Sequence, residues 1–306
     1  MQSGATPLDT AADGLRTVVL ISVTPFGADG AVADQDYAKV LEHAVGAGVT
    51  TVTTNGNTSE FYSLSPHEID RSLAITVETV SDRALIIAGV GHEVPRAERM
   101  ARDAARAGAD AIMVHQPVHP YLSEDGWVDY HRSIADTVPD LGVVCYVRSP
   151  HIGGAAIGRL ADACPNVVGV KYAVPDPVRF ADAVTSVDAG RLVWVCGLAE
   201  LWAPQFHGIG ATGFTSGLAN VAPTLSLRLH DQLRRGDTAA ALRLWRRLKP
   251  FEDLRARNGN AHNVSAVKEA LAQLGLCARS VRPPISELPP PRRDEVAAIL
   301  ADWREA

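Results

Sequence analysis

Three features are scarce in this chain of 306 residues. Long apolar runs are the first. No stretch approaches the roughly 18 uninterrupted apolar residues of a membrane span. The opening MQSGATPLDTAADG lacks the basic start and apolar centre of a secretory leader. Cysteine is the second. Cys145, Cys164, Cys196 and Cys277 form no C-x-x-C pair, and a chain of this length needs no disulfide staples, so a reduced, cytoplasmic protein is expected. Lysine is the third. Only Lys39, Lys171, Lys249 and Lys268 contribute to the 29 basic residues. With 35 acidic residues the net charge is −6, which excludes the global basicity of a nucleic-acid binder. Residues 228–257 hold nine basic and four acidic side chains. That segment reads as a solvated or subunit-facing helix surface rather than a nucleic-acid site.

What is present is ordinary globular composition, 46% hydrophobic and 21% charged. The length suits two domains, or one α/β barrel of roughly 250 residues with an appendage. Eight short runs are apolar at nearly every position: 18–23, 50–54, 84–88, 111–115, 142–146, 167–171, 192–196 and 211–215. Strands buried on both faces of a parallel sheet have that pattern. A helical segment follows each run. The segment at Ser65-Pro66-His67-Glu68 opens with a capping box and a proline at the first helical position. Eight βα units predict an α/β fold, a closed (β/α)8 TIM barrel, over residues 14–235. Residues 236–306 then form a C-terminal helical region. It is punctuated by Gly236-Asp237 and the prolines from Pro283 to Pro291, and is too small for a core of its own.

Active sites of such barrels gather at the carboxyl ends of the strands. Lys171 ends the run Val167-Val168-Gly169-Val170, where a solubilising charge is out of place. An amine desolvated there loses its proton more readily and can attack a carbonyl, although a lysine can also snorkel to solvent. Lys39, Lys249 and Lys268 read as helix-surface charges. Tyr146 ends the preceding strand and is placed to relay protons, or to bind a backbone carbonyl as a barrel aromatic. The Asn57-Thr58-Ser59 turn offers N–H groups and hydroxyls to an anion such as a carboxylate, or simply caps the next helix. His115 and His119 invite a metal reading. Pro117 lies between them, however, and no carboxylate or cysteine stands at ligand spacing. No metal is therefore expected. Residues 210–217 read as a tight turn in preference to a phosphate loop, and Glu60 as a loop-bracing carboxylate in preference to a general base.

Together these residues resemble the dihydrodipicolinate synthase / N-acetylneuraminate lyase superfamily, the class I aldolases and dehydratases of 2-keto acids. The similarity includes Thr24-Pro25-Phe26, Gly56-Asn57-Thr58-Ser59-Glu60, Leu64-Ser65 with Glu68, Tyr146, Val168-Gly169-Val170-Lys171 and residues 210–220. The resemblance implies that Lys171 forms a Schiff base with pyruvate or a longer 2-keto acid. It also implies that Tyr146, hydrogen-bonded to Thr58, moves protons, and that Thr58 and Ser59 bind the carboxylate. No cofactor is implied. The family's homotetramer, a dimer of dimers, is the expected assembly.

Departures steer the substrate. The arginine position of the dihydrodipicolinate synthases holds His151, while Arg148 lies three residues earlier. The tyrosine lent across their subunit interface aligns with His119, two residues before Tyr121. Branches acting on 2-keto-3-deoxy sugar acids fit better, by aldol cleavage or dehydration. Asn57, Ser59, His119, Arg148, His151, Thr215 and Ser216 are the expected substrate contacts. The alternatives are a 4-hydroxy-tetrahydrodipicolinate synthase-like condensation, a metal-dependent aldolase built on His115 and His119, and a non-catalytic keto-acid-binding homologue.

Overall fold

Eight short strands alternate with helices in the computed structural model, which describes residues 5–304. The strands are β1 (Val18–Ile21), β2 (Thr51–Thr54), β3 (Leu85–Val90), β4 (Ala111–Val114), β5 (Gly142–Val147), β6 (Val167–Tyr172), β7 (Val193–Cys196) and β8 (Gly213–Ser216). They pair in chain order into a closed parallel barrel. Every strand residue except Leu85 is buried. That is why the runs carry no polar alternation: one face packs inside the barrel and the other under helices.

The barrel helices are α2 (Asp34–Gly46), α3 (Pro66–Val80), α4 (Val94–Ala107), α5 (Glu124–Ala135), α6 (Gly154–Ala163), α7 (Pro177–Thr185), α8 (Ala199–His207) and α9 (Pro223–Arg234). The predicted capping box of α3 is present: Ser65 accepts from the Glu68 N–H while Glu68 accepts from the Ser65 N–H. One helix escaped the sequence reading. α1 (Pro7–Gly14) precedes β1 and opens with its own capping box, Thr6 with Asp9. Thr-Pro-x-Asp was the available signal.

The structure groups the chain into two compact units. One comprises the chain up to Val19, Thr50–Thr53 and Leu85–Thr215. Its outer layer holds an aromatic cluster in which Phe180 of α7 stacks on Phe206 of α8 at 4.5 Å and meets Tyr172 of β6 at 5.2 Å. The other comprises Leu20–Val49, Thr54–Ala84 and the chain from Ser216 onward. Here the buried Tyr37 hydroxyl of α2 hydrogen-bonds Ser22 and Thr54 Oγ1 at 2.9 and 2.8 Å, and Thr76 of α3 donates to it at 3.3 Å. The same unit holds α10 (Thr238–Asn260), α11 (Asn263–Gln273) and α12 (Pro290–Arg304). Asp237 caps α10, and helical geometry is interrupted at Arg257–Gly259, where Asn258 and Gly259 take left-handed φ of 53° and 68°. Among the described residues no helix is long and apolar enough to cross a membrane.

Gly213 at the start of β8 shows why residues 210–217 are tight. A Cβ there would collide with the Leu15 carbonyl and stand 2.5 Å from that of Thr17. Both are backbone atoms and neither can rotate away. We expect Gly213→Ala to destabilise the protein by at least about 2 kcal/mol, measurable by urea unfolding. An unchanged midpoint would show that the strand can shift.

Candidate active site

The register of β5 and β6 sets Tyr146 directly beside Lys171. Both are inward positions, two residues from Val144 and Gly169, whereas Cys145 alternates to the other face. Lys171 is 4% exposed, and its Nζ lies 4.0 Å above the centre of the Tyr146 ring. Beneath it is a void of about 10 Å³ bordered by Ile87, Met113, Val144, Val195 and Thr215. That is the lower limit for a single water. The stem of the lysine passes Gly197, where a Cβ would come within 3.0 Å of Lys171 Cγ. Glycine at 197 thus keeps the stem's path open.

This burial sets the chemistry. Desolvation, aided by the nearby positive charge of Arg148, lowers the Lys171 pKa from 10.5 to about 7. The Tyr146 ring face favours an ammonium by about 0.5–2 kcal/mol. A fall of that size corresponds to about 5 kcal/mol against the charge, so desolvation wins. An ordinary lysine is the free amine in about one molecule of 2,500 at pH 7. Here burial brings the free amine within reach of neutral pH.

Arg148 is exposed on the loop after β5, with its guanidinium carbon 6.0 Å from the Tyr146 ring. Its N–H donates to Gln116 Oε1 at 3.2 Å. His115 is buried at the end of β4, its ring centre 6.1 Å from that of Tyr146. Thr215 is buried and donates to the Cys196 carbonyl at 3.4 Å. Lys171, Tyr146, Arg148 and Thr215 are therefore drawn to one region. His119 and His151 are exposed on the loops after β4 and β5. The His119 Nδ1 accepts the Tyr121 N–H, and the His151 N–H donates to Ser149 Oγ.

The second unit carries the turn after β2. Gly56 is required there, since a Cβ would lie 2.5 Å from Ile21 Cγ2. Asn57 is half-buried; Thr58 and Ser59 are buried. Ser59 corrects an expectation. Its hydroxyl donates to the Ser22 carbonyl at 2.5 Å and accepts the Gly56 N–H at 3.0 Å, and its N–H donates to the Gly56 carbonyl. Its one hydroxyl proton is spent, so Ser59 braces the turn rather than offering that proton to a carboxylate. Ser216 is fully buried and accepts the Ala219 N–H at 2.8 Å.

Two further features of this unit escaped the sequence reading. Asn220 accepts the Val23 N–H and donates to the Ile21 and Gly217 carbonyls, joining the segments after β1 and β8. Lys268 is no surface charge: it is wholly buried on α11 and paired with Glu60 at 2.5 Å. Its position on the apolar stripe with Val264, Val267 and Leu271 was the available signal.

A family model described as the dihydrodipicolinate synthetase family matches residues 14–302. The chain belongs to this family. It is 33% identical over 288 residues to a "Probable 5-dehydro-4-deoxyglucarate dehydratase" of Methylobacterium radiotolerans, covering 92% of this chain and 93% of that one. A protein of the same description from Saccharopolyspora erythraea is 32% identical, covering 92% and 90%. Among solved structures, dihydrodipicolinate synthase from Bacillus clausii aligns with a TM-score of 0.92 and 38% identity, over 96% of this chain and 99% of that one. The dihydrodipicolinate synthase of Oceanobacillus iheyensis gives 0.93 and 35%, over 97% and 99%. The chain is an enzyme of the lyase class.

The depressed pKa of Lys171 makes stability depend on pH. The native state resists protonation of this amine and the unfolded state does not. The burden is therefore full below pH 7 and disappears as pH rises from about 7 toward 10.5. Lys171→Met should raise Tm by at least roughly 4 °C at pH 6, with the gain shrinking by pH 10. A Tm difference independent of pH would contradict the depressed pKa.

Proposed function

We propose that this enzyme is a class I lyase that dehydrates a 2-keto-3-deoxy sugar acid through a Schiff base on Lys171. The observation that carries this reading is the buried amine, its pKa lowered to about 7, above the Tyr146 ring. The amine adds to the C2 carbonyl and water leaves, giving an imine whose protonated form withdraws electrons from C3. A C3 proton departs by way of Tyr146, and the enamine expels the C4 hydroxyl as water. Hydrolysis of the conjugated imine frees the product and restores Lys171, so the net change is loss of one water. Aldol cleavage shares this imine; the dehydratases among the relatives favour water loss. No cofactor is needed, because the imine is the electron sink.

The substrate's ends are read by different groups. The keto-acid carboxylate docks on the Asn57 and Thr58 N–H groups and the Thr58 hydroxyl, on a turn that Ser59 braces. Thr215 and Ser216 border the reacting end. A glucarate-type substrate carries a second carboxylate, and Arg148 is the cation beside Tyr146 that suits it. His119 and His151 extend this distal contact. The condensation reading draws support from the solved relatives named dihydrodipicolinate synthase, but His151 at the arginine position weighs against it.

We take residues 14–235 as the catalytic barrel and 236–306 as its helical extension. The assembly is a homotetramer; the exposed Val118 (72%) and Tyr121 (87%) on the loop after β4 support a subunit contact. Four free, buried cysteines support the reducing cytoplasm.

Borohydride with pyruvate should add the keto acid irreversibly to Lys171, and Lys171→Ala should not be labelled. The labelling rate should rise with pH through about 7, as the amine loses its proton. Mass spectrometry that finds no adduct on the wild-type protein would sink the mechanism. Arg148→Met should raise KM at least about tenfold for 5-dehydro-4-deoxyglucarate, the loss of roughly one charge-assisted hydrogen bond. It should change KM little for a 2-keto-3-deoxy acid without the second carboxylate. Equal effects on both would remove Arg148 from the distal site.

A further inference from the structure

Glu60 and Lys268 are the charged pair that the chemistry above leaves unused, and both side chains are fully buried. Lys268 Nζ donates to Glu60 Oε1 at 2.5 Å and to the Ser280 carbonyl at 2.8 Å, and lies 4.0 Å over the Phe26 ring. The other carboxylate oxygen, Glu60 Oε2, accepts the Arg282 N–H at 2.8 Å. With one oxygen on a cation and the other on a backbone donor, Glu60 is not a general base. Its backbone is unusual too. Glu60 adopts φ +60° and ψ 35°, a left-handed conformation that an L residue keeps only when its surroundings enforce it. Glu60 closes the turn: its N–H donates to the Asn57 carbonyl at 3.1 Å.

The turn is thus held at two ends. Ser59 ties it to Ser22, and Thr24 Oγ1 donates to the Ser59 carbonyl at 2.9 Å. Glu60 ties it to α11 and the Ser280–Arg282 segment. We propose that Glu60 and Lys268 are positioning residues for substrate. Their ion pair holds the 56–60 turn in the conformation whose Asn57 and Thr58 N–H groups receive the keto-acid carboxylate. The C-terminal helices thereby set the affinity for keto acid. This inference rests on the carboxylate-binding role proposed above. It assigns no step at the imine, so substrate affinity should change while the titration of the amine does not.

The test uses pyruvate as probe and full-length protein. Borohydride labelling of Lys171 is measured against pyruvate concentration and against pH. Lys268→Met leaves Glu60 buried without its cation and is the variant at risk of not folding. The double variant Glu60→Gln with Lys268→Met removes both charges and should fold. Glu60→Asp keeps both charges and shortens the clamp by one carbon, and is read if neither of the others folds. We expect the half-saturating pyruvate concentration to rise at least about tenfold in the folded variants. The pH midpoint of labelling at saturating pyruvate should stay near 7. Folded variants with wild-type half-saturation would overturn the proposal, leaving the pair a structural one. An unlabelled wild-type protein would instead overturn the Schiff-base reading.

Discussion

The burial of one amine is the constraint on which the rest of this candidate active site depends. An ammonium is among the most expensive groups to remove from water, and among the described residues no carboxylate forms a salt bridge with Lys171 to offset that cost. The protein therefore stabilises the neutral form, and a neutral amine is a nucleophile. The supporting details serve this end. The β5–β6 register puts an aromatic ring beneath Nζ. Apolar side chains fill the barrel below, leaving no space for a hydration shell. Gly197 keeps the stem's path clear. Arginine could not occupy position 171, because its guanidinium stays protonated at any pH the fold tolerates.

Lys268 shows the opposite solution to the same problem. It too is buried, but Glu60, the Ser280 carbonyl and the Phe26 ring surround it with compensation. Among the described residues Lys171 is buried with no salt bridge, whereas Lys268 is buried against a carboxylate. In a chain whose positive charge is otherwise carried largely by arginine, these are the two buried lysines, and their environments assign them different work.

Much of this was legible in the sequence. The eight apolar runs match β1 to β8 to within a few residues, because a strand buried on both faces must be apolar throughout. Punctuation was equally readable: Ser65 with Glu68 and Gly236 with Asp237 are local rules that local sequence reports. Family membership was carried by motifs spread along the chain, and the family model matches over residues 14–302. What escaped was of another kind. Ser59 looked like a ligand for carboxylate, and its hydroxyl is spent on Ser22, 37 positions away. Lys268 looked like a helix-surface charge, and its partner Glu60 lies 208 positions away.

The sequence by itself determined the barrel, the strand on which Lys171 stands and its alternation to the inside, since each follows from periodicity and spacing. Only the tertiary structure decided which polar groups remain available for chemistry. A hydroxyl has one proton and a carboxylate a limited set of acceptor sites. Whether a distant backbone carbonyl or a buried cation has claimed them is a matter of proximity between segments far apart in the chain. Position marked Lys171, the turn motif marked Ser59, and Glu60 read as a loop-bracing carboxylate. Folding left the first a buried amine without a paired carboxylate among the described residues and tied the other two into the 56–60 turn.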